Sequence, residues 1–223
     1  MKWDFKDHLF ALAMIVSLCL ASVYFSSILP ETVPSHFNID GIADKWSSKS
    51  EVMFLGIAAP VGVFVILTFI PLIDPFWKKI QSKYNLFLVF RDIALGAVVY
   101  FVIVGYLSAR DGTYAANMSG LGRGLFFIIL GNYLPKLPRN FFFGVRTPWT
   151  LASEQVWKRT HQISGWLFVA GGLIMAILSF SPLPQYIVLL TVLFPLVLFC
   201  GFLYPYFLYR KLEKEAGEQV PQL

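Results

Sequence analysis

Three places in the sequence gather side chains whose types and spacing could do chemistry. The first is His36, Asp40 and Asp44, an imidazole and two carboxylates in one short polar stretch. These are ordinary ligands for a divalent cation. Their spacing matches neither an HExxH pair nor a cysteine pair, and Asp40-Gly41 is a turn dipeptide, so we expect a hydrated turn and no metal there. The second place is the run from Asn140 through Phe141-Phe142-Phe143-Gly144-Val145-Arg146 to Thr147-Pro148-Trp149-Thr150. Gly144 permits a sharp backbone turn, and Thr147 before Pro148 supplies a hydroxyl cap and a first-turn proline for a helix. Trp149, Ser153, Trp157 and His161 then recur every four residues and would line one face of one helix. Glu154 and Lys158 have the favourable order on another face. Two readings stand side by side. One is an interfacial helix, with Trp149, Trp157 and Trp166 in the headgroups and Lys158 and Arg159 on anionic lipid. The other is a docking surface in which Arg146 and the tryptophans meet a partner.

The third place is a pair of polar residues in apolar surroundings. Arg123 either snorkels from a helix end or lines a polar path. Asn132 can make a hydrogen bond between helices. Beside Arg123, Gly120 and Gly124 form a GxxxG, a weak signal for close helix packing. Cys19 and Cys200 both lie in apolar segments and read as small core residues. No Ser/His/Asp or Cys/His set shares a common depth, and the charge-free segments hold no Asp, Glu or Lys to relay a proton. We therefore expect no enzyme activity, no catalytic residue and no cofactor.

The elements that must hold these groups are set by composition. Of 223 residues 57% are apolar and only 14% charged, and the mean hydropathy is +0.66. A soluble domain carries nearer a quarter charged residues. Charge-free segments run over Leu9–Pro30, Val52–Ile73 and Ile93–Ala109. A fourth segment, charge-free over Gly124–Pro135, gains enough length when extended back to about Met118 and then takes in Arg123. Two more, Gln162–Phe180 and Gln185–Tyr209, are split by the breaker Ser181-Pro182-Leu183-Pro184. Each is long enough to cross a bilayer as a helix. The first exceeds the apolar core of a cleaved signal peptide, so we expect a retained helix. The fold expected is an all-α polytopic membrane bundle of about six transmembrane helices, one membrane domain over 1–223. Within it, 9–75 form a two-helix unit with a loop at 31–51, and 118–209 carry a second loop at 136–161.

Orientation follows from basic residues. With the N-terminus inside, fourteen of 18 Lys and Arg fall on the inner side, among them Lys78, Lys79, Lys83 and Arg91 in one loop. Lys45, Lys49, Arg110 and Arg123 fall outside. That bias places both termini in the cytoplasm, the 31–51 loop outside and the 136–161 loop inside a cell membrane. The net charge of +5 is then a topology signal, with no direct nucleic-acid binding implied.

The stretch Phe143-Gly144-Val145-Arg146-Thr147-Pro148-Trp149-Thr150-Leu151, with Val156-Trp157-Lys158 after it and Gly131-Asn132 and Asn140 before it, closely resembles the signature of the SdpI-like family of bacterial immunity proteins. The resemblance covers roughly residues 118–209. Leu29-Pro30-Glu31-Thr32-Val33-Pro34-Ser35-His36-Phe37-Asn38, then Gly41 and Lys45-Trp46, is similar to the uncharacterised domain that often precedes that signature. The resemblance implies a multi-pass membrane protein that confers resistance to a secreted antimicrobial peptide toxin and sequesters a cytoplasmic autorepressor. It implies partner-binding roles for Asn140, Gly144, Arg146, Thr147, Pro148, Trp149, Thr150 and Trp157, and an outer motif of Pro34, His36, Gly41 and Trp46. The alternative reading is a small transporter or channel that uses Arg123 and Asn132. Expected partners are membrane lipid, the toxin and the repressor.

Overall fold

The computed structural model describes residues 4–37, 43–111 and 115–218. These form nine α-helices and one two-stranded hairpin. Helix α1 (Leu9–Ile28) is 20 uncharged, mostly apolar residues without a break, about 30 Å of helix and the thickness of a hydrocarbon core. A 3-10 turn over Phe5–His8 leads into it, started by the Asp4 carboxylate accepting from the Lys6 amide. Helix α2 (Lys49–Phe69) is started by Ser48, whose hydroxyl accepts from the Glu51 amide. After it come a short α3 (Trp77–Ile80) and the long α4 (Tyr84–Asp111). Helix α5 (Ala115–Tyr133) is followed by the 136–147 loop, the short α6 (Pro148–Ala152) and α7 (Glu154–Leu178).

Helices α8 (Gln185–Leu198) and α9 (Tyr204–Glu218) are one continuous rod joined by a π turn at Phe199–Leu203. The Tyr204 amide closes that turn on the Phe199 carbonyl, and Pro205 follows with no amide hydrogen to continue the regular ladder. The rod therefore outruns the expected end at Tyr209.

Among the described residues, five segments are long and apolar enough to cross a membrane: Phe5–Ile28, Lys49–Ile73, Trp77–Asp111, Glu154–Leu178 and Gln185–Ala216. The expected fourth segment is present as α5, 19 residues long and more polar, packed between α4 and α7. The exterior is greasy. Trp166 is 78% exposed and Ile177 71%, while Arg91, Thr160, His161 and Ser164 are wholly buried. Apolar side chains at that density outside and polar ones inside mark an all-α membrane helix bundle.

Helices α5 and α7 meet backbone to backbone. A Cβ on Gly124 would lie 2.6 Å from the Gly172 carbonyl, and one on Gly131 would lie 2.6 Å from the Gly165 carbonyl. Glycine is the side chain that allows this approach. The GxxxG reading is thereby refined: Gly120 faces Gln185 and Ser179, Gly122 faces the Tyr100 ring, and only Gly124 faces α7.

The loop at 31–51 is built as a hairpin: β1 (Thr32–Phe37) and β2 (Ala43–Ser48) pair antiparallel, with Pro34 opposite Trp46 and bulges near His36. One expectation is corrected. The third membrane segment does not start at Ile93. Helix α4 begins two turns earlier, so Arg91 and Asp92 stand within a helix and not in a loop.

Candidate functional site

The 137–147 segment has no helix or strand, so its main-chain groups must be satisfied by side chains. Asn140, wholly buried, does most of this. Its Oδ1 accepts from the Phe142 amide at 2.9 Å and the Phe143 amide at 2.7 Å, and its Nδ2 donates to the Pro138 and Phe143 carbonyls. The Phe141 amide donates to Asp74 Oδ2 at 2.8 Å, while Asp74 Oδ1 accepts from the Phe76 amide. One carboxylate thus ties the end of α2 to the loop. Phe143 packs edge-on against Phe87 and Phe90 of α4.

Gly144 has φ +93°, the conformation glycine was expected to supply. A Cβ there would collide with His161 Nε2. That nitrogen accepts from the Val145 amide at 3.0 Å, so it carries no proton, and Nδ1 donates to the Trp157 carbonyl at 2.9 Å. The imidazole is thereby held in one neutral tautomer. It stacks on the Trp157 indole at 4.0 Å, and Trp157 Nε1 donates to the Leu137 carbonyl at 2.9 Å. Thr147 and Thr150 form a reciprocal capping box with Pro148 in the first turn, and Thr150 Oγ1 also donates to the Val145 carbonyl.

The expected single helix through Trp149, Ser153, Trp157 and His161 is corrected. Ser153 is extended, ends α6, and accepts from the Val156 amide to start α7. Trp157 and His161 do share a face, but it is buried, so Trp157 is no headgroup anchor. Trp149 is on α6 and packs edge-on against Tyr206 of α9 at 5.3 Å. Glu154 pairs with Arg139, not with Lys158. Of the signature residues, Asn140, Thr147, Thr150 and Trp157 are buried, whereas Gly144, Arg146 and Pro148 reach the surface beside Phe141. Arg146 Nη1 donates to the Phe141 carbonyl at 2.9 Å, which leaves most of its fork outward.

The hairpin at the other end stands on Val33, which is fully buried with Leu18, Phe25, Leu29 and Tyr106. Its polar groups lie outside. His36 Nδ1 meets Asp44 Oδ1 at 2.6 Å, Ser47 donates to Ser35, and Trp46 is 60% exposed. Asp40 and Gly41 lie outside the described residues. Among the described residues no group of three His, Cys, Asp or Glu is placed to hold a metal.

Asn132 does not bridge helices: its Nδ2 donates to the Ile128 carbonyl of its own helix. Arg123 is half-buried on α5. The polar centre within the bundle is a different one. Arg91, wholly buried, donates from Nε to Asp92 Oδ1 (2.8 Å), from Nη1 to His8 Nδ1 (2.7 Å) and Thr68 Oγ1 (3.2 Å), and from Nη2 to the Asp7 carbonyl. Asp92 lies one residue before the charge-free segment that begins at Ile93, yet inside α4. A signal was present: the apolar run Leu86–Phe90 continues the helix pattern upstream of the pair, so these charges were not a loop.

Residues 136–207 match the SdpI/YfhL protein family, and residues 13–59 match a domain of unknown function, DUF1648. The Immunity protein SdpI of Bacillus subtilis (strain 168) is 29% identical over 218 residues, covering 93% of this chain and 98% of the relative. No solved structure matches the chain significantly.

Proposed function

From the match of residues 136–207 to the SdpI/YfhL protein family we propose that the protein is a multi-pass immunity protein of the cell membrane, conferring resistance to a secreted antimicrobial peptide toxin. The observation that carries this is the end-to-end similarity to an immunity protein, which takes in both the hairpin half and the signature half of the chain. In this reading both termini and the signature loop face the cytoplasm, and the hairpin faces the toxin. The outward residues of the signature loop, Phe141, Arg146 and Pro148, with Trp149 setting the angle of α6, hold a cytoplasmic repressor while toxin is bound. The buried signature residues keep that surface in shape. Such signalling requires that the ligand favour one of two helix arrangements.

Expression in a toxin-sensitive cell tests the first part: survival on challenge is expected, and undiminished killing at verified membrane expression would overturn it. For the second part, Arg146→Ala and Trp149→Ala should release a membrane-held repressor into the cytoplasm. Unchanged recruitment in both variants removes the docking role. Labelling of a cysteine placed at position 146 by an impermeant reagent in intact cells would reverse the orientation.

A further inference from the structure

The bundle has a cavity that the immunity reading does not use. It lies between α1, α4 and α5, holds about 550 Å³, and is walled by Met14, Ile93, Gly96, Ala97 and Phe126 among others. This is the size of a small-ligand pocket. Its rim residues Phe10, Leu125 and Ile129 are exposed on the apolar exterior, so the cavity opens sideways toward lipid. Along α4 it runs from Val89 to Tyr100, about 16 Å of helix. The Tyr100 ring, pressed against Gly122 and bonded through its hydroxyl to the Met118 carbonyl, closes one end.

Asp92 lines the other end. Its Oδ1 takes both contacts from Arg91, and its Oδ2 takes no hydrogen bond among the described residues. Asp92 is bonded, through Arg91, to the first turn of the chain and to Thr68 near the end of α2. It therefore sits at headgroup depth, where α1 and α2 both enter or leave the membrane. Arg91 donates to His8 Nδ1, so His8 acts there as a neutral acceptor and adds no positive charge. The Arg91–Asp92 pair leaves one carboxylate oxygen as an open acceptor beside a long apolar slot, a fit for an amphiphile with a donor head.

We propose that this cavity is a binding site for a primary-amine amphiphile entering from the bilayer: an apolar chain lies along α4 and its ammonium group donates to Asp92 Oδ2. Bound so, the ammonium makes a charge-assisted hydrogen bond away from bulk water. The site is independent of the immunity reading and stands or falls on its own.

The test is photolabelling of the purified full-length protein in maltoside micelles with a diazirine-bearing long-chain alkylamine, mapped by mass spectrometry. Labels are expected on residues 93–97 and 122–129, competed by dodecylamine and not by dodecanol or dodecyl sulfate. Gly96→Leu fills the slot, since only Met14 Sδ at 3.8 Å lies near a Cβ at that position. Labelling should fall about tenfold in that variant. In Asp92→Asn the preference for amine over alcohol should vanish. If that variant does not fold because Arg91 is left unpaired, Gly96→Leu still decides the site and the competitor series decides the charge. Labels spread over lipid-facing residues such as Trp166 and Phe194, unmoved by Gly96→Leu, would overturn the site. Equal competition by dodecanol would overturn the role of Asp92.

Discussion

The two long loops of this protein are fixed by opposite means. In the hairpin the strand ladder holds the backbone, and the side chains of His36, Asp44, Ser35 and Ser47 pair with one another at the surface. In the signature loop there is no ladder, and buried side chains hold the backbone directly: Asn140, Thr147, Thr150, Trp157 and His161 each satisfy main-chain groups. A ladder tolerates almost any side chain, whereas a backbone held by side chains tolerates few. A sequence signature of this kind therefore records a demand for hydrogen-bond partners first. Contact with another molecule falls to the minority of its residues that point out.

The comparison can be broken at several points. The largest effect is expected for Trp157→Ala, which empties a core site among Phe87, Leu134 and Leu137 and strands the Leu137 carbonyl. We expect a loss of about 3–5 kcal/mol, read as the unfolding midpoint of purified protein in detergent. A loss below about 1 kcal/mol would mean the loop does not depend on its buried side chains. Asn140→Ala leaves the Phe142 and Phe143 amides without their acceptor in a part-buried site. It should cost about 2 kcal/mol, and amide hydrogen exchange should rise at those two residues before the rest of the chain. On the hairpin, His36→Ala removes a surface pair and should cost about 0–1 kcal/mol, a difference that shrinks further at high salt. Trp46→Ala should change stability by no more than about 0.5 kcal/mol, since the indole is mostly exposed. If Trp46→Ala destabilises more than Asn140→Ala, the contrast between the loops is reversed.

The apolar segments were legible in the sequence because length and charge exclusion act locally. So were Gly144 and the Thr147-Pro148 cap, whose chemistry lies within a few residues. What escaped was either non-local or a case where two local rules conflict. Arg91 reads as a loop charge until its partners are known, and two of them, Asp7 and His8, lie at the far N-terminus of the chain. The four-residue recurrence through Ser153 hid a second helix start, although Ser153 followed by Glu154 is itself a cap with an acid in the first turn. The hairpin was not expected, and inside one of its strands stands Pro34, a residue usually kept out of sheet interiors. It is tolerated in a hairpin of only two strands, where an edge amide needs no partner from a further strand.

The glycine contact between α5 and α7 has a mechanical consequence. Where Gly124 and Gly131 meet Gly172 and Gly165 the two backbones touch without intervening side chains, so neither helix has a pliable layer on which to slip. A shear of one past the other would drive carbonyl into carbonyl. The pair is a keel, and a rearrangement of the bundle that leaves it intact has to move the remaining helices against it as one body.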